Sequence, residues 1–141
     1  MRNKAPLALM EQLVMLLVFA LAAALCLQVF VLSDQMSRRC EERDRAVVVA
    51  QNAAEIMKSC KGNIIDCSGI LGGSVDGSAW KIGYDVDWQQ TALDQAAYQI
   101  LVVPVASATK LLGTAEVCAQ TIEGKLLFQL TVSWQEVDAH G

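Results

Sequence analysis

Three sets of side chains in this sequence are of types that do chemistry. Glu11 stands alone among apolar neighbours in LALMEQLVMLL, at the head of twenty residues, Leu13 to Leu32, in which Gln28 is the only polar one. A carboxylate beside hydrocarbon is costly to desolvate and is expected to be held by a cation. Arg2 or Lys4, from the same chain or a neighbour, could supply that cation; the alternative is a solvated carboxylate at headgroup level. The five cysteines form the second set. Cys26 falls inside the apolar run and reads as small apolar filler. Cys40, Cys60, Cys67 and Cys118 follow it, an even number that allows three pairings where disulfides persist. Cys60 with Cys67 is the favoured pair, because a bridge over that seven-residue step would pin a loop to a helix end. Cys40 with Cys118 is then left over, and free buried thiols are the alternative. The third set is Asp85 and Asp87, with Asp76 nearby, which could share a calcium ion but read more simply as a solvated face.

The remaining chemistry is excluded by what is missing. The lone histidine, His140, stands next to the C-terminus and there is no C-x-x-C pair, so no metal site is expected. No Ser/His/Asp or Cys/His arrangement can be assembled from one histidine, and the chain does not read as an enzyme or as a cofactor carrier. A net charge of −4, with no basic cluster interleaved with aromatics, argues against nucleic acid as a partner. Gly69, Gly72, Gly73 and Gly77 lack the strand and helix that flank a phosphate-binding loop, and residues 61–78 read as an ordinary connecting loop.

The elements that must position these residues follow from periodicity. Twenty apolar residues in a helix span about 30 Å, the thickness of a bilayer's hydrocarbon core. The lipid bilayer is therefore the first expected partner. Arg2 and Lys4 precede the span and no acid does before Glu11, which places the N-terminus in the cytoplasm and residues 33–141 outside it. A cleaved signal peptide is the competing reading, but the run stays apolar for eight residues beyond Ala24. Met36, Cys40, Val47, Ala50, Ala54 and Met57 then recur at helical spacing, beside a second row of Ala46, Val49, Ala53, Ile56 and Cys60. With no Pro or Gly between Pro6 and Gly62, one continuous helix is predicted from about Leu7 to Ser59, with Pro6 in its first turn.

Beyond the loop, WKIGYDVDW alternates strictly and predicts a strand over residues 80–88. Further strands are predicted at 98–105, 113–122 and 126–134, the last two joined by a turn at Glu123-Gly124. Trp80, Trp88 and Trp134 fall on the apolar phase of their strands and read as core. The predicted fold is α+β: a long N-terminal helix whose amphipathic half, 33–60, packs on a small antiparallel sheet formed by 79–141.

A basic leader at 1–6, a spanning helix headed by a glutamate, and a C-terminal antiparallel sheet together resemble the type IV pilin-like family. That family includes the pseudopilins of type II secretion, the pilin-like proteins of DNA uptake and the tight-adherence pilus subunits. The motif that carries the resemblance is LALMEQ, Leu7 to Gln12. The resemblance implies removal of the leader by a prepilin peptidase, with Leu7 as a methylated first residue and Glu11 as the glutamate that meets a neighbour's new terminal amine. The residue before that cut is Pro6, where the family has Gly or Ala; with Ala5 as the last leader residue, Pro6 becomes the terminus instead. It further implies a subunit of the bacterial cytoplasmic membrane that assembles with other pilin-like subunits and inner-membrane assembly proteins into a filament. The alternative is a single-span anchored or secreted binding domain that does not polymerise.

Overall fold

The computed structural model describes residues 4–136, so Arg2 and His140 lie outside the described residues. The chain divides into two units, one up to Cys40 and one from Glu41 onward. Helix α1, Ala5–Ser59, supplies the first unit and the opening element of the second. Its bounds agree with the continuous helix predicted from the absence of breakers. Pro6 sits in its first turn, where the missing N–H costs nothing, and the Ala8 N–H donates to the Lys4 carbonyl at 3.2 Å.

In the first unit every described residue is exposed, apolar ones included. In the second, Ala46, Ala50, Ala53, Ala54 and Met57 of α1 are buried among residues of the sheet. Four of these five are alanines, so the helix face is nearly smooth there and the sheet's larger side chains fill the interface. The predicted stripe began at Met36 and Cys40, but both are exposed, and burial starts only at Ala46. Periodicity marks a face; burial also requires an opposing surface, and the sheet supplies one only for the last turns of the helix.

The helix ends in a left-handed turn. Lys61 (φ 50°) and Gly62 (φ 82°) take positive φ, the Gly62 N–H donates to the Met57 carbonyl at 3.0 Å, and the Lys61 N–H donates to the Lys58 carbonyl at 3.1 Å. These two bonds satisfy carbonyls that the helix end would otherwise leave open.

Residues 61–78 are not the plain loop that their glycines and serines predict. They hold a second helix, α2, Ile64–Leu71, and a short strand, β1, Ser74–Asp76. Asn63 caps α2: its side-chain oxygen accepts from the N–H groups of Ile65 (3.1 Å) and Asp66 (3.5 Å), while its amide donates to Asp66 Oδ2 at 2.7 Å.

The sheet continues with β2 (Ala79–Tyr84), β3 (Gln90–Thr91), β4 (Tyr98–Val105), β5 (Leu112–Thr121) and β6 (Leu126–Gln135). All pairings are antiparallel, in the order β1-β2-β4-β5-β6, with β3 also on β2. This is the predicted meander with two short strands added. The predicted strand over 80–88 is four residues too long. Asp85 ends it, its Oδ1 accepting from the N–H groups of Asp87 and Gln89, each at 2.9 Å, so the chain turns back on itself. Val86 is 73% exposed as a result, and Trp88 sits in that turn at φ 59°, half-buried and outside the inner core. The inner core consists of Trp80, Ile82, Ile100, Val102, Val117 and Met57, all fully buried.

Candidate functional site

Glu11 lies on the exposed apolar part of α1, and its neighbours at helical spacing, Leu7, Ala8, Val14 and Met15, are all apolar. Among the described residues it makes no hydrogen bond or ion pair. Lys4 is seven residues away, about 10 Å along the axis, so this cation does not reach Glu11 as an i,i+4 partner would. Pro6 and Leu7, the residues of the predicted processing point, are in the first turn. The only ion pair on this part of the helix is Arg38 Nε to Asp34 Oδ2 at 3.1 Å, among the described residues, and it is solvent-exposed. Helix α1 is long and apolar enough to cross a membrane, and none of its apolar stretch is buried within the chain.

The structure brings Cys60 and Cys67 together. Cys67 is fully buried on α2, its thiol donating to the Ile56 carbonyl and to Met57 Sδ, both at 3.7 Å. Burial, and then the neighbouring Cys60 thiol, push Cys67 up to about 12. Cys60 is half-buried at the end of α1, 3.8 Å from Ser59 Oγ. Cys40 is exposed on α1, and Cys118 is half-buried on β5, its thiol pushed up by burial and by Glu116. All five thiols are free in this structure.

The acids do not converge. Asp76 Oδ2 accepts from Lys81 Nζ at 2.9 Å, and the Asp85 carboxylate is occupied by its own turn. No group of three or more His, Cys, Asp or Glu that could hold a metal ion occurs among the described residues. The shared-calcium alternative therefore has no support, and the turn-forming role of Asp85 replaces it.

One polar contact was not foreseen. Tyr98 at the start of β4 donates its hydroxyl to Glu42 Oε1 of α1 at 2.6 Å, and Trp88 stacks on the Tyr98 ring at 4.2 Å, with the planes 9° apart. Two lines of sequence separated by 56 residues carry no local signal of such a pair. The hydrogen bond to Glu42, then burial, raise Tyr98 from 10 to about 12, and burial raises Tyr84 as well. The folded state thus holds these protons more tightly than the unfolded chain, whose tyrosines ionise near pH ~10. Their contribution to stability is complete below about pH 10 and is lost as the pH rises toward 12. Tyrosinate absorbance of the native chain is expected to show neither tyrosine titrating at its ordinary value, and the denaturation midpoint to fall across that window. An ordinary tyrosine titration in the folded protein would refute this.

A shallow cleft of about 360 Å³ lies beside Trp134, with Lys61, Lys110, Ser107, Thr109 and Glu136 on its walls. The indole N–H of Trp134 is buried without a partner, and its ring lies so close to Gly62 and Gly113 that a Cβ at either would collide with it. The cleft holds no nucleophile–base pair. No protein-family model, curated protein or solved structure matches this chain. The functional reading therefore rests on its own residues.

Proposed function

We propose that the chain is a membrane-anchored, pilin-like subunit whose work is assembly. The observation that carries this reading is Glu11: one acid, with no partner among the described residues, at the head of an exposed apolar helix. An acid at hydrocarbon depth is tolerable when an opposite charge is delivered to it. A neighbouring subunit's terminal amine, or its Arg2 or Lys4, is a donor that assembly brings and isolation removes. In this reading Leu7 to Leu32 holds the subunit in a bacterial cytoplasmic membrane and later packs in the filament. The N-terminus is cytoplasmic, and the sheet faces outward as the surface that meets other subunits. Its partners are other pilin-like subunits, inner-membrane assembly proteins and a prepilin peptidase.

Pro6 favours a second reading, in which the leader is kept. A proline immediately before the scissile bond both fixes φ and removes a backbone donor that a peptidase would grip. The chain is then a permanently anchored domain, and Glu11 has only side-chain cations to meet.

Intact mass and N-terminal sequence of the protein recovered from its native membranes separate the two. A start at Leu7 or Pro6, with an added methyl group, is the expected result. A start at Met1 sends the assignment to the anchored domain, and a start at or beyond Ala23 removes the anchor and the filament reading with it.

A further inference from the structure

We infer that Cys60 and Cys67 form an ordered exchange site for a disulfide-bearing oxidant, with Cys60 as the attacking thiol and Cys67 as the resolving thiol. Asn63 ties both cysteines to one residue, its N–H donating to the Cys60 carbonyl and its carbonyl accepting from the Cys67 N–H, each at 3.0 Å. Cys60 lies near enough to the Cys67 thiol to raise its pKa. Their exposures differ: Cys60 is half-buried and reachable, whereas Cys67 is fully enclosed by Ile56 and Met57.

That asymmetry sets the sequence of steps. An external disulfide RS–SR, of the glutathione class or a protein disulfide, cannot reach Cys67. The Cys60 thiolate attacks one of its sulfurs, a Cys60–SR bond forms, and RS⁻ leaves and takes up the proton that Cys60 lost. Cys67, held nearby through Asn63, then gives up its proton and attacks the Cys60 sulfur. The second RS⁻ leaves with that proton, and the Cys60–Cys67 bond closes. The chain loses two protons and two electrons, and the oxidant becomes two RSH. Burial keeps the Cys67 proton in place until the mixed disulfide arrives beside it. The closed bond links the end of α1 to α2 in addition to the Asn63 bonds. This chemistry does not rest on the filament reading.

The test treats the reduced full-length chain in detergent with excess oxidised glutathione, followed by alkylation of the remaining thiols and peptide mapping. The expected product has Cys60 joined to Cys67 and carries no glutathione on either. In Cys67→Ser the glutathione is expected to stay on Cys60, and in Cys60→Ser the Cys67 thiol is expected to remain unmodified until the protein is denatured. The assignment is overturned if the unaltered chain keeps glutathione on Cys60 while Cys67 stays free, if Cys67 is the first to react, or if either bridges to another cysteine instead. Brief exposure of the unaltered chain, quenched with acid and mapped, shows which cysteine carries glutathione first, so a variant that fails to fold does not blunt the result.

Discussion

Trp80→Ala is expected to cost about 3–5 kcal/mol, the range for removing a fully buried large aromatic from a core. A small domain has only about 5–15 kcal/mol in total, so a large share of the sheet unit's stability would go with this one side chain. Trp80 is fully buried on β2, with Val102 of β4 and Val75 of β1 as its cross-strand partners. Its indole N–H donates to the Gly72 carbonyl at 2.8 Å, just past the end of α2. The substitution therefore opens a cavity and also removes the donor to that carbonyl. Trp88→Ala is the contrast: its ring is half-buried, stacked on Tyr98 and set in a turn, so its loss should be well under that of Trp80. Urea denaturation of the full chain in detergent, followed by the fluorescence of the remaining tryptophans, measures both. Equal losses, or a Trp80→Ala midpoint close to wild type, would show the core to be elsewhere.

Glu11→Ala and Glu11→Gln are expected to insert in the membrane at least as well as wild type and to fail in assembly. A carboxylate beside hydrocarbon is costly to desolvate, so removing it does not weaken the anchor. Truncating one partner of a desolvated charge pair costs about 2–5 kcal/mol, which corresponds to a loss of roughly 30-fold or more in association. A decline in filament yield with normal membrane levels is thus the signature of a registering carboxylate. Glutamine keeps the size and a carbonyl but lacks the charge, and it should fail with alanine. Filament yield unchanged in both variants would show Glu11 to be a solvated headgroup-level acid and would leave the anchored-domain reading in its place.

The long elements were legible because their signals repeat. Fifty-five residues of helix with one early proline, and ten-residue strands with alternating faces, each present many concordant positions. Short elements present few. Helix α2 is eight residues long, and its one clear sign, Asn63 followed three positions later by Asp66, is outweighed by the surrounding glycines. At Asp85 the error ran the other way. Alternation continues through Asp85–Trp88 by composition alone, while a single carboxylate oxygen, bonded to two N–H groups, turns the backbone. The same division holds for the sites. Glu11 stands out by contrast with its neighbours, and Cys60 with Cys67 by proximity in the chain. The Glu42–Tyr98 bond depends on how a helix and a strand are packed, which no window of sequence contains.

Strand β6 ends the sheet order, and among the described residues nothing pairs with its outer side. Its ten residues, LLFQLTVSWQ, contain no charge and no proline, the two devices that most often keep an edge from accepting a stranger. Lys125 and Glu136 flank it without interrupting it. An open row of backbone donors and acceptors of that length is a template on which another strand can crystallise, and templates act according to how crowded their surroundings are. The more crowded those surroundings are, the more often that edge would be occupied.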